Sequence, residues 1–520
     1  MFDAAGKPVI RHTAGDLPRI LNELGAALAQ AFSDHLFTYA GRIARVHPAG
    51  HTAKGDIRRT NDALLVHPVE AAHLVELAGL AAIHERFDAR GKEVAFVATD
   101  CPLRTCQSYL ARGHWPELLP LRGFIEAPLI DPSGRIIDTP GYDTITGLFA
   151  AFAPIAGYRR PPEKPTRQDA DKALSTLRSL FKTFPFASVQ DESAMLAATV
   201  TGLLRRALPA APMAAISAPA PGTGKTLLAE ALALLVTSRR ASVLSLGADD
   251  AEFEKRLAGA LLAADALLCI DNLERPLKGD LLCQVTTQSN VRLRPLGGSA
   301  MLSVPTSAFL VATGNNLQIV GDLKRRALLV RLDAGIERPE QREFSGDFLA
   351  EVAARRGELI GAALTLPLAY LAAGSPKPAG LHAAGSFETW DALVRRPLVW
   401  LGLPDPLLSA EVLRAEDPDV ETTRLMFMAW SAVFGEKPVT VADAVAAGMA
   451  TREYAGEIQN RELYDAMQSA CSEKPNTRRL GFWLRQHKDK IADGLQLKVA
   501  GQDGHSKVNR WAVRRAGDAA

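Results

Sequence analysis

Pro219-Ala-Pro-Gly-Thr-Gly-Lys-Thr226 decides how this chain is read. It runs directly into an apolar-periodic segment, Leu227 to Val236, which predicts a helix starting at the loop. A glycine-rich turn opening a helix presents consecutive backbone N–H groups to an anion, and the helix dipole favours negative charge there. Lys225 supplies a cation for β- and γ-phosphates, and Thr226 supplies a hydroxyl for Mg2+. Pro221, Gly222, Thr223 and Gly224 complete the candidate nucleotide-binding residues. Pro219 stands where such loops usually place their first glycine, but Gly222-Thr-Gly-Lys-Thr226 is intact. The competing reading is a plain Gly/Pro turn, and the downstream segments weigh against it.

The apolar run Ala266-Leu-Leu-Cys-Ile270 predicts a strand ending in Asp271-Asn272. A carboxylate at a strand end beside a phosphate loop is placed for a second Mg2+ contact, which is the role expected of Asp271. Otherwise it caps the following turn. Asn272 occupies the position where many such ATPases carry a glutamate base, leaving Glu274 as the nearby candidate. A second apolar strand, Ala308-Phe-Leu-Val-Ala312, ends in Thr313-Gly-Asn-Asn316, with Asn315 the candidate to orient a lytic water. The alternative there is a simple Gly-Asn turn. Between these strands, Val291-Arg-Leu-Arg-Pro-Leu296, Gly297-Gly298 and Ala300 to Val304 predict a hairpin. Strand alternation puts Arg292 and Arg294 on one face, to meet a nucleic-acid backbone or simply to be solvated. Lys324-Arg-Arg326 follows Asn315, and arginines so placed stabilise charge on a neighbouring subunit's nucleotide. Arg326 is the first choice and Arg325 the second; a basic helix end is the plainer alternative.

A chain of 520 residues suggests several domains. The net charge of +2 makes any anionic-partner surface a local matter. No apolar run spans a bilayer, and the first thirty residues do not read as a secretory signal. The odd, loosely spaced cysteines at 101, 106, 269, 283 and 471 argue against a disulfide framework and predict reduced thiols in the cytoplasm. Cys101 and Cys106 suggest half a metal site, with no second pair near them in sequence. The first 158 residues read as an α+β region without a zinc-ligand cluster or an acidic polymerase motif. Within it, Gly123 to Ala127 and Gly134 to Ile137 are expected to pair as a hairpin across Asp131-Pro-Ser-Gly134. Residues 166–208 predict a helical collar, 209–345 an α/β core built on the phosphate loop, and 346–410 a helical lid.

Residues 471–520 carry eleven Lys and Arg against five acids. Asn476 to Asp489 predicts an amphipathic helix, with Leu480, Trp483 and Leu484 opposite Arg478, Arg479, Arg485 and Lys488. Two strands, Leu495 to Val499 and Val508 to Val513, bracket a polar turn. A helix followed by such a wing predicts a winged-helix module over 420–520, with the basic residues facing DNA phosphates. A module of this shape used for protein contact is the alternative.

The series Gly222-Thr-Gly-Lys-Thr226, Asp271-Asn272, Thr313-Gly-Asn-Asn316 and Gly321-Asp-Leu-Lys-Arg-Arg326 resembles the helicase part of phage and plasmid primase–helicase proteins, superfamily 3 helicases of the AAA+ class. Glu126-Ala-Pro128, Pro140-Gly-Tyr-Asp143, Glu337-Arg-Pro-Glu340 and Phe387-Glu-Thr-Trp390 look like the same proteins, so the likeness covers roughly 110–515. The resemblance implies an α/β fold: an AAA+ P-loop core with collar and lid, flanked by the α+β N-terminal domain and the C-terminal winged helix. It further implies a hexameric ring coupling hydrolysis of ATP with Mg2+ to 3′→5′ movement on single-stranded DNA. It makes the hairpin of Arg292 and Arg294 the pore contact and offers Arg395 as a second nucleotide sensor. A separate primase is an expected partner for the N-terminal region, since the chain itself is not expected to make primers. Pro219 and Asn272 depart from the pattern and bear on hydrolysis. The rival expectation is a non-unwinding AAA+ initiator, loader or defence ATPase that uses nucleotide as a switch; a degenerate prophage remnant is the blander one.

Overall fold

The computed structural model describes residues 6–50, 57–88, 95–247, 249–294, 301–336, 338–341, 346–409, 411, 418–451, 457–471, 474–504 and 506–516. The turn expected at Gly297-Gly298 and the residue Glu337 lie outside them. The chain forms two compact units, Met1–Ala410 and Glu411–Ala520, and both mix helices with sheets.

The first unit is organised by a six-stranded sheet. Five strands are parallel: β1 (Met213–Ala218), β2 (Ser242–Leu244), β3 (Leu267–Leu273), β4 (Phe309–Asn315) and β5 (Ala327–Arg331). Their order is β5-β1-β4-β3-β2. Strand β1 is buried at all six positions, as an apolar central strand covered on both faces must be. The sixth strand, Ile57–Arg58, comes from the N-terminal region and pairs antiparallel with β2.

Helices cover this sheet. α1 (Arg167–Phe181) starts at a capping box in which Thr166 and Asp169 satisfy each other's backbone N–H groups. Leu174, Leu177 and Phe181 form its buried stripe. α2 (Val189–Leu204) is capped by Ser188 and buried almost all round, so it runs inside the unit. α3 (Lys225–Thr237) follows the glycine-rich loop, and α4 (Asp280–Thr287) precedes the strand Asn290–Leu293. α5 (Arg356–Ala372) packs against α1.

Arg356 links these layers. Its Nε donates to the Leu234 and Leu235 carbonyls at 2.9 and 3.2 Å, and its Nη2 to the Glu126 carbonyl at 2.7 Å. Carbonyls in the last turn of α3 thus gain a cationic partner. The Glu126 carboxylate is buried against Arg239, just beyond the same helix end.

The N-terminal region contributes a small sheet in the order Val9–His12, Ile83–Asp88, Ala95–Thr99, over helices Leu17–Ala31, Ala71–Ala81 and Leu103–Ala111. A second sheet is tied to the central one. Tyr39 Oη donates to the Leu261 carbonyl at 3.0 Å, and Arg59 grips Asp265 through two hydrogen bonds of 2.8 and 2.6 Å. The expected hairpin is corrected here. Ile136–Ile137 pairs with Leu129–Ile130, whereas Gly123–Ile125 lies parallel to Leu148–Ala150. The Asp131 turn is real but joins shorter strands, because Asp131 Oδ1 accepts from the Ser133 and Arg135 N–H groups and closes the chain tightly.

In the second unit, helices Pro418–Phe434, Val441–Met449, Arg461–Cys471 and Thr477–Gln486 surround Phe427, Trp430, Leu463, Leu480 and Trp511. An antiparallel sheet follows the order Val439–Thr440, Asn509–Arg515, Leu495–Gln502, Ile491–Ala492.

Candidate functional site

Strand order places three sequence-predicted residues side by side. β4 lies between β1 and β3, so Asn315 at its end falls between the loop after β1 and Asp271 on β3. The loop turns through Gly222 and Gly224, whose φ angles of 77° and 102° suit glycine. A side chain at Gly224 would also meet the Phe184 ring, with Cβ only 2.8 Å from Cε1. Thr223 is buried, and Thr226 is exposed on the first turn of α3.

Lys225 Nζ donates to Asn315 Oδ1 at 2.7 Å and to the Ala220 carbonyl at 3.0 Å. Partial burial lowers the Lys225 ammonium below its ordinary value, and the Asp271 carboxylate opposes that shift. Asp271 is half-buried at a register shift between β3 and β4, a bulge that re-aims the strand end. The Thr313 hydroxyl holds it there, donating to Asp271 Oδ1 at 2.5 Å and accepting from the Asn272 N–H at 3.1 Å. Asn272 is exposed with a φ of 53°.

Sequence reading assigned Thr313 no role, although it opens the Thr313-Gly-Asn-Asn316 run. A hydroxyl one strand over from a strand-end carboxylate is the signal that would have found it. Glu274 is exposed just beyond β3. Backbone N–H groups at a helix start, an ammonium, a hydroxyl and a carboxylate form a donor set suited to phosphate oxygens and a hard cation.

The remaining candidates lie elsewhere. Arg325 and Arg326 sit in a short 3-10 helix, Gly321–Arg326. Arg326 turns back on its own chain, bonding the Cys283 carbonyl at 2.5 Å, Thr287 Oγ1 at 3.2 Å and Asp322 at 2.5 Å. Arg325 pairs with Asp322 but stays exposed. Arg395 is 3% exposed, and its guanidinium bonds Asp405, Asp391 and the His382 carbonyl. Its partners therefore come from its own helical region, not from the loop. Arg292 and Arg294 are exposed and alternate with buried Val291 and Leu293, and Asn290–Leu293 pairs with Leu302–Pro305.

In the second unit, Asn476 caps Thr477–Gln486 by accepting from the Arg479 N–H. Arg478, Arg479, Arg485 and Lys488 are all exposed. The three arginines border a surface concavity that also includes Phe482, itself 58% exposed.

Among the described residues, no helix is long and apolar enough to cross a membrane. No protein-family model matches the sequence, and neither does any curated protein. An apo structure of the NrS-1 C-terminal region aligns at a TM-score of 0.34 with 13% identity, over 83% of this chain and 94% of that one. A structure described as SCCmec type IV Cch, active helicase, aligns at a TM-score of 0.30 with 12% identity, over 92% of this chain and 97% of that one.

Proposed function

We propose that this chain is an ATP-dependent DNA helicase or translocase of the AAA+ class, acting in replication of a phage, plasmid or integrated mobile element. The 2.7 Å contact between Lys225 and Asn315 carries this reading. It joins the phosphate loop to the strand-end amide that would report on a γ-phosphate. The inserted position of β4 supports it, because that order makes the loop, the amide and Asp271 neighbours.

In this scheme the loop N–H groups and Lys225 bind and orient the phosphates of ATP. Thr226 and Asp271 would hold Mg2+, which when bound offsets phosphate charge. Asn315 orients the attacking water. Glu274, exposed beside the site, is the available base in place of Asn272. The chain would assemble as a hexameric ring, with Arg325 or Arg326 reaching the neighbouring subunit's nucleotide. Arg325 needs only to leave Asp322, whereas Arg326 must also leave Cys283 and Thr287. Arg292 and Arg294 would track single-stranded DNA. The second unit, in which Val441–Met449, Arg461–Cys471 and Thr477–Gln486 precede the paired strands Leu495–Gln502 and Asn509–Arg515 in support of a winged-helix reading, would grip duplex phosphates through Arg478, Arg479, Arg485 and Lys488. The N-terminal region is free in this scheme to contact a separate primase.

A second reading keeps nucleotide binding without unwinding, as in an initiator, loader or defence ATPase. Asn272, a neutral residue directly after Asp271, favours it. Strand displacement on a forked duplex with Mg–ATP, beside Lys225→Ala, separates the two. Unwinding that disappears in the variant supports the helicase; DNA binding and ATP hydrolysis without unwinding support the switch.

A further inference from the structure

The pair missing beside Cys101 and Cys106 is supplied by the fold. His12 ends the strand Val9–His12, and His84 lies on its parallel neighbour Ile83–Asp88. Cys101 follows the third strand of that sheet, and Cys106 sits in the helix Leu103–Ala111. One ring nitrogen of each histidine and the Cys101 sulfur all lie within 4.8 Å of one another. His12 Nε2 is 2.9 Å from His84 Nδ1, and the two sulfurs are 3.6 Å apart as free thiols.

We propose that His12, His84 and Cys101 bind a structural zinc ion, with Cys106 turning about its Cα–Cβ bond to supply a fourth donor. Two nitrogens and two sulfurs are a common tetrahedral zinc set, and the Cys101-x4-Cys106 spacing is within its range. Zn–S bonds of about 2.3 Å put tetrahedral sulfurs roughly 3.7 Å apart, close to the spacing seen here. The imidazoles need to part by only about half an ångström to admit Zn–N bonds of about 2.0–2.1 Å.

His84 is already oriented for this. Its Nε2 lies 3.1 Å from the Ala78 carbonyl, so donation there leaves Nδ1 with a lone pair facing the cluster. Both sulfurs are buried, and no carboxylate belongs to the group. A three-stranded sheet under short helices gains from such a cross-link, because it joins three segments distant in sequence.

The test is cobalt titration of the reduced, full-length chain, followed by displacement with zinc. Expected are thiolate-to-cobalt charge transfer and intense tetrahedral d–d bands that saturate at equimolar metal and vanish with zinc. Cys101→Ser and His12→Gln should each weaken binding by more than the roughly 10- to 100-fold that loss of an outer-shell partner costs. His12 is half-exposed at a strand end, so His12→Gln carries the test if Cys101→Ser does not fold. Loss of charge-transfer intensity in Cys106→Ser assigns the fourth donor, and an unchanged spectrum removes Cys106 from the set. A weak octahedral spectrum in the unsubstituted chain, or bands indifferent to Cys101→Ser and His12→Gln, overturns the site.

Discussion

Asn315 has one contact that matters most: its Oδ1 accepts from Lys225 while its strand lies beside that of Asp271. On the proposed ATPase reading, an amide in this position contributes when charge develops, not when nucleotide first binds. Asn315→Ala should therefore lower kcat for ATP hydrolysis by about a hundredfold and leave nucleotide affinity nearly unchanged. Steady-state hydrolysis combined with equilibrium binding of a fluorescent nucleotide checks both halves. The places of Lys225 and Thr226 at a helix start and of Asn315 at a strand end were legible in sequence, because each is bound to a local signal, a glycine turn or an apolar run. Thr313 was not, since its task depends on which strand lies next to β3. Arg326 was legible as a basic residue after Asn315, but its hydrogen bonds to Cys283 and Thr287 depend on α4, far from it in sequence.

At the scale of elements, α3 is held at both ends: by the loop at its start and by Arg356 at its finish. Arg356→Ala leaves the Leu234, Leu235 and Glu126 carbonyls without that donor and should cost about 2–3 kcal/mol of unfolding free energy. Denaturant unfolding followed by circular dichroism measures the loss. The long helices and central strands could be read from periodicity, because fifteen or so residues repeat the signal several times. Short strands could not. Gly123–Ile125 and Leu129–Ile130 look alike as apolar pairs and triplets, and only the tertiary fold decides that one is parallel and the other a hairpin. The His12, His84 and Cys101 group was hidden for the same reason, since only the pairing that sets Ile10 opposite His84, with His12 two residues further along, brings the two imidazoles together. On the basic helix, replacing Arg478, Arg479, Arg485 and Lys488 with alanine should make log K for DNA against log salt shallower by about three to four. Fluorescence anisotropy over a salt series reads that slope.

Across the whole first unit, nearly buried ion pairs help fasten the N-terminal region to the elements around the central sheet, Arg59–Asp265 beside Glu126–Arg239. Arg59 and Asp265 bond through two parallel contacts, with side chains 12% and 2% exposed. Arg59→Ala strands a buried carboxylate and should destabilise the unit by about 3–5 kcal/mol. Replacing both residues with apolar ones should recover much of that loss, which a double-mutant cycle of unfolding free energies measures. Composition and net charge gave no hint of this fastening, because an arginine and an aspartate so far apart in sequence look like ordinary surface charges.

The strand Ile57–Arg58 has a consequence for how the chain keeps to itself. Without it, β2 would present an open row of N–H and C=O groups, a template onto which another chain can add. At the opposite border, Phe186 bridges Leu332 just past β5. Each rim is thus met by a segment outside the strands of the core, two paired residues at one border and a single bridge at the other. A fragment beginning at α1 would lose the first of these, and its soluble yield should fall through intermolecular sheet growth even if all five parallel strands were retained.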